Sequence, residues 1–191
     1  FIGSSNVGQE VFDLDTQYHM QWRQDHDIVC GFGFRSYATR VVTDPATSAV
    51  VFVPPRDAFD IISYFIQDTI TLVDDRLYTT LGCKFEHNDF TGFEYQPTAK
   101  LVWTPDERTS IWGSISRAVR TPAVADRDMI VAIGPVAAGP TFVRYTGNRN
   151  TVSEDVLAYE LGMRRQPTDK FYWDLAAFFN RYDNLFVAQS L

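Results

Sequence analysis

With 191 residues, 45% of them hydrophobic and 15% aromatic, the chain has enough apolar surface for an ordered domain and is excluded from the disordered class. A formal net charge of −7 argues against a nucleic-acid surface, which would be basic. The two cysteines, Cys30 and Cys83, form no metal-ligating or CxxC spacing, and no apolar run is long enough for a transmembrane helix, although a transmembrane strand needs only alternation.

The opening FIGSSNVGQE lacks the basic and apolar regions of a signal peptide, and the chain stops abruptly at AQSL, so it reads as a piece of a longer protein. From Gln9 to Trp22 the residues alternate, with Phe12, Leu14, Thr16, Tyr18, Met20 and Trp22 on one face and Asp13, Asp15, Gln17 and His19 on the other. After a polar turn at 23–26, Ile28 to Tyr37 alternates again, setting Ile28, Cys30, Phe32 and Phe34 against Gly31, Gly33 and Arg35. The connection 38–59 carries Pro45, Pro54 and Pro55 and reads as a loop, with VVFV adding at most a short strand.

Ile61 to Val73 is the next strand. Asp68 falls on its apolar face with Ile66 and Ile70, where a carboxylate facing lipid is costly, so a bulge, a water defect or a reversed facing is expected there. Arg76 to Asn88 alternates most cleanly, with Leu77, Thr79, Leu81, Cys83 and Phe85 against Tyr78, Thr80, Gly82, Lys84 and Glu86. A connection of moderate length, 88–94, leads to a strand over Tyr95–Thr104, and a proline turn at 105–108 to one over Thr109–Arg117. The facing of that strand stays open, because Ile111 and Ile115 compete with Trp112 for the apolar side. A second long connection, 118–152, contains MIVAIGPVA, readable as a short helix or strand. Glu154–Arg165 and Phe171–Arg181, joined by a short turn at 166–169, close the series.

The pattern predicts an all-β fold: an antiparallel up-and-down meander of about eight strands, part of a transmembrane β-barrel. Short connections (23–26, 74–75, 105–108, 166–169) and longer ones (38–59, 88–94, 118–152) alternate, which places all tight turns at one end. All four tryptophans, Trp22, Trp103, Trp112 and Trp173, lie near a short turn and so form a membrane girdle at that end. The competing readings are a soluble β-barrel holding a small hydrophobic ligand and a secreted all-β enzyme. The first needs an apolar inward face, and the second needs converging carboxylates that the sequence does not offer.

Several phrases together resemble the TonB-dependent outer-membrane receptors: Phe65-Ile66-Gln67-Asp68, Leu81-Gly82-Cys83-Lys84-Phe85-Glu86, Gln96-Pro97, Trp112 through Pro122 (WGSISRAVRTP), Tyr159-Glu160-Leu161-Gly162 and Ala177 through Leu185 (AFFNRYDNL). The likeness runs from about Val11 to Phe186 and covers a middle portion of the barrel, without plug or C-terminal strands. It implies that 1–191 is a partial barrel domain in the bacterial outer membrane, from a wall of about 22 strands around a plug. It also implies active uptake of a bulky nutrient such as an iron–siderophore complex, energised through TonB. The implied partners are outer-membrane lipid, TonB, the plug and the small-molecule ligand; no cofactor is implied. Cut out alone, such a piece has two raw edges that either pair with another copy or curl into a smaller barrel.

Within that frame the wet face, Asp13, Asp15, His19, Arg35, Lys84, Glu86, Glu160 and Arg164, lines a hydrated lumen of mixed charge. Asp13, Asp15 and His19 are no metal site, because alternate strand residues stand nearly 7 Å apart. At the long-loop end Arg117 and Arg120 either meet an anionic ligand or anchor the strand end on neighbouring carboxylates. Tyr37, Phe59, Phe90, Phe93, Phe142 and Tyr145 either line a ligand vestibule or pack loop on loop.

Overall fold

The computed structural model describes residues 5–43, 50–133 and 143–187. In chain order its elements are β1 (Ser5–Trp22), β2 (His26–Thr43), β3 (Val50–Phe52), β4 (Arg56–Val73), β5 (Leu77–Asn88), β6 (Gly92–Asp106), β7 (Thr109–Arg120), α1 (Val124–Asp128), β8 (Met129–Ile133), β9 (Val143–Thr146), β10 (Glu154–Thr168) and β11 (Phe171–Asp183). The long strands form one 8-stranded sheet in the order β1-β2-β4-β5-β6-β7-β10-β11, antiparallel throughout, as the alternation predicts. The sheet is open: among the described residues β1 and β11 pair with no further strand, and it does not close as a small barrel. Three short strands, β3, β8 and β9, form a separate sheet at the loop end.

The strands outrun the sequence reading. β1, β2 and β4 each hold 18 residues, about 60 Å at the usual rise, while about 10 tilted residues cross a bilayer. The excess lies at the loop end, where Ala38, Thr39 and Arg40 on β2 carry no hydrophobic alternation although the ladder runs on to Thr43. The connection at 88–94 is also shorter than expected. Asn88 Oδ1 accepts the N–H groups of Phe90 (3.0 Å) and Thr91 (2.8 Å), a side-chain turn that leaves only 89–91 outside the strands. At the opposite end neighbouring turns are tied sideways. Thr71 N–H donates to Asp25 O at 2.8 Å, Thr104 N–H to Arg76 O at 2.7 Å, and Gln166 N–H to Arg108 O at 2.8 Å.

Among the described residues no apolar interior forms: the buried ones are Val41, at 8% exposure, Pro122, the glycines Gly33 and Gly162, and the polar Asn88, Thr109, Asp128 and Ser153. Cohesion therefore comes from backbone ladders and from same-face contacts between strands. Two of those contacts need glycine. Gly31 lies beneath the Phe65 ring and Gly162 beneath the Trp112 indole, and a Cβ at either would collide with the ring. Gly162→Ala is therefore expected to lower the stability of the refolded protein by about 1–3 kcal/mol, read as the urea midpoint in lipid vesicles. Gly113→Ala, where the new methyl meets ordinary contacts from 3.6 Å, should change it by no more than about 0.5 kcal/mol.

Candidate functional site

Because side chains alternate along each strand, the register sorts them onto two faces. One carries Leu14, Phe34, Ile62, Tyr64, Ile66, Leu81, Phe85, Tyr95, Leu101, Ile115, Leu161 and Leu175. The other carries all eight residues expected on the wet side: Asp13, Asp15, His19, Arg35, Lys84, Glu86, Glu160 and Arg164. On this polar face the charges neutralise one another along and across the strands. Arg35 Nε donates to Asp13 Oδ2 at 2.8 Å, Lys84 Nζ lies 2.9 Å from Glu86, and Arg164 Nε lies 3.0 Å from Asp174. Ser114 donates to Glu160 at 3.0 Å, and His19 contacts Asp27. Gly33 leaves room between Asp15 and Ser63, opening a small groove of about 120 Å³ that Lys84 and Glu86 also line. Exposed pairs of this kind contribute little to stability, because water screens them. Strand β11 departs from the pattern, since Tyr172, Phe178 and Tyr182 also stand on the polar side, Phe178 75% exposed.

At the tight-turn end Trp22, Trp103 and Trp173 share the apolar face. Trp112 does not, which corrects its place in the girdle. It pairs with Gly162 and Val102 on the polar face, covers that glycine, and has Lys100 Nζ 5.6 Å from its ring. The competition on β7 resolves in favour of Ile111 and Ile115.

Asp68 keeps its apolar-face position without a bulge, the register shift of that hairpin falling between Thr71 and Val73. What offsets its charge is His26 on the next strand, whose Nδ1 lies 2.6 Å from Asp68 Oδ2, with the Trp22 ring 5.5 Å from the imidazole.

The loop-end residues proposed for a vestibule divide. Tyr37 stacks on Phe59 at 4.6 Å, the Phe90 ring lies tilted against Phe59 at 4.4 Å, and the guanidinium of Arg127 lies 3.8 Å from the Phe90 centroid. Phe93 stands on the other face against Phe85, and Tyr145 meets Phe186 edge-on at 6.4 Å. Phe142 lies outside the described residues.

Arg117 and Arg120 are on opposite faces of β7. Arg117 fills the gap that opens where Pro97, without an N–H, ends the β6–β7 ladder: it donates to Tyr95 O and to Asp155, at 2.5 and 3.3 Å. Arg120 donates to Glu154 at 3.0 Å and to Asp126 at 3.3 Å. The Phe186 N–H and then Arg120 hold the Glu154 carboxyl below its ordinary range. Both arginines thus take the anchoring role weighed for them.

One further cluster has no local signature in the amino-acid order. Asp128 at the end of α1 is buried; its Oδ1 accepts from Arg149 Nε at 2.6 Å, while Oδ2 has no donor. Asp57, at the loop-end start of β4, lies beside it and 3.8 Å from Arg149 Nη2. Burial, and then the neighbouring Asp128 carboxyl, push Asp57 above the usual carboxylate range, against the opposing Ala58 N–H and Arg149. A proton on Asp57 lets the two carboxyls share a hydrogen bond. Since a carboxyl raised in the folded state stabilises below its unfolded pKa and loses that stability as pH rises through the folded value, this end should loosen as Asp57 ionises. Amide exchange in β8 and β9 should therefore speed up from mildly acidic to neutral pH, beyond its intrinsic pH dependence. Asp57→Asn should flatten that response.

An antiparallel meander with one bare apolar face, one internally paired polar face and indoles at its turn end is the wall of a transmembrane β-barrel. The chain belongs to the family described as TonB dependent receptor-like, beta-barrel, which matches residues 1–191, and this places it in the bacterial outer membrane. Similar solved structures include the siderophore receptor PirA from Acinetobacter baumannii (TM-score 0.73, 16% identity, 93% of this chain and 27% of that one). PirA from Pseudomonas aeruginosa is also similar (0.73, 18%, 92% and 32%). So is a mutant of the ferric enterobactin receptor PfeA from Pseudomonas aeruginosa in complex with enterobactin (0.72, 19%, 93% and 27%). At these identities the likeness is one of fold, and the chain spans 27–32% of their length. No curated protein sequence matches the chain.

Proposed function

We propose that residues 1–191 are part of the barrel domain of an outer-membrane active transporter that takes up a bulky nutrient such as an iron–siderophore complex, energised through TonB. The observation that carries this reading is the contrast between the faces. Large hydrophobic side chains stand bare on one, Leu161 at 61% and Leu175 at 67% exposure, while charges pair with one another on the other. Hydrocarbon covers the first face, and water with a plug domain covers the second. The exposed Tyr172, Phe178 and Tyr182 then belong to the surface that meets the plug. Siderophore and ferric enterobactin receptors among the structures of like fold support an iron chelate as the cargo class. Polar groups that pair among themselves on the described face support a transporter wall.

Cells relying on the full-length receptor should accumulate a radiolabelled ferric chelate and stop when the proton gradient is collapsed. Accumulation that persists without the gradient, or for no chelate at all, contradicts the proposal. The facing is tested separately. Leu161→Arg, on the apolar face, is expected to cost about 2–4 kcal/mol of stability in vesicles. Ser116→Arg, on the polar face, should cost less than about 1 kcal/mol.

A further inference from the structure

On the apolar side of the sheet, above its hydrophobic stripe at the loop end, Arg40 of β2 and Arg56 of β4 occupy directly opposed positions. Like charges placed directly opposite in a sheet repel. Elsewhere on the chain Arg35, Arg117, Arg120, Arg149 and Arg164 each hold a carboxylate. Among the described residues neither the Arg40 nor the Arg56 guanidinium has a hydrogen bond or an ion pair, and both side chains are exposed.

The ground around them is cleared. On neighbouring strands Gly8, Ala38 and Ala58 floor a groove of about 710 Å³ that both arginines line, and a Cβ at Gly8 would meet nothing within 4 Å. The carboxylates facing this region are Glu10, in the row below the arginines, and Asp60, one row lower; neither comes within ion-pair range of the guanidinium groups. Below them the same face passes the rows that carry Glu10 and Asp60 and runs into the apolar stripe that begins at Phe12 and Phe34, whose ring centroids are 6.1 Å apart.

Two unsatisfied guanidinium groups over a cleared groove that opens onto a greasy stripe have the complementarity of an amphiphile: an anionic head above, chains below. Forked guanidinium donors suit phosphate oxygens, and basic sites at a membrane surface bind lipid headgroups. We propose that Arg40 and Arg56 together clamp the phosphate of a lipid headgroup at the loop-end rim of the wall, its acyl chains lying down the Phe12–Phe34 stripe. The inference rests on this face meeting lipid. It adds a specific lipid site to what would otherwise be an unselective greasy surface.

The test uses the full-length receptor in a neutral detergent, titrated with dioleoyl phosphatidate, dioleoyl phosphatidylcholine or inorganic phosphate and read by native mass spectrometry. Phosphatidate should bind at least tenfold more tightly than phosphatidylcholine. R40A/R56A should weaken phosphatidate roughly fivefold to tenfold per arginine, R40K/R56K, which keeps the charges but loses the fork, should weaken it to an intermediate degree, and Glu10→Gln should tighten it. Phosphatidate binding that ignores R40A/R56A overturns the site, provided the variant keeps the heat-modifiable mobility of a folded barrel. Inorganic phosphate displacing the lipid at equal concentration overturns the lipid assignment in favour of a free-anion site. If Leu161→Arg is costly while phosphatidate ignores the arginines, this inference alone fails. If Leu161→Arg is harmless, the facing itself fails and takes the inference with it.

Discussion

The structure depends on a mismatch between backbone and side chains. Every internal strand pairs with a neighbour on both edges, so most of the polar main chain is satisfied, yet among the described residues many large hydrophobic side chains stand exposed and only Val41 is buried. In water such a sheet is untenable: at roughly 25 cal/mol per Å² of bare apolar surface, a face this large outweighs the net stability of an ordinary domain. In hydrocarbon the same arrangement is the required one, because no main-chain group can be left unpaired there and no hydrophobic interior is needed. A single antiparallel layer without a core is what these two conditions select.

The polar face follows from the same geometry. Once one row of each strand is committed to hydrocarbon, the alternate row is forced onto the opposite side, and its charges must be tolerated at close quarters. Asp13–Arg35, Lys84–Glu86 and Arg164–Asp174 meet this need locally, at the spacing that register provides. The exception is instructive. Asp68 sits in an apolar row, and its partner His26 is recruited from the next strand, at the turn end beside Trp22 and within reach of water. A charge on the wrong side is thus held where the cost of burying it is lowest.

Much of this was legible in the amino-acid order, and the losses have physical causes. Period-two alternation from Phe12 to Trp22 and from Leu77 to Phe85 identified strands and their facing without tertiary knowledge, because facing is a local property of a pleated chain. Strand ends were less visible: β2 continues to Thr43 and β4 begins at Arg56, where the strands leave the bilayer and nothing enforces alternation. The turn at 89–91 was hidden in Asn88, whose side chain replaces backbone that a longer loop would have supplied. Trp112 was unreadable for a different reason. What places it on the polar face is Gly162, about 50 residues away and adjacent only through the sheet. Phe93 and Arg117 were grouped with the loop-end aromatics by sequence proximity, but strand parity puts both on the apolar side. The Asp57–Asp128–Arg149 cluster unites a strand, a short helix and a loop, a meeting no local pattern encodes.

The central claim is that two media, hydrocarbon and water, lie on the two sides of one layer. Its most direct test is fluorescence quenching of full-length receptors that each retain one of Trp22, Trp103, Trp112 and Trp173, reconstituted in bilayers with brominated acyl chains. The account predicts that brominated lipid quenches Trp22, Trp103 and Trp173 while sparing Trp112, which aqueous iodide reaches instead. If lipid quenched Trp112 as strongly as the other three, or left all four untouched, the assignment of the faces would be contradicted.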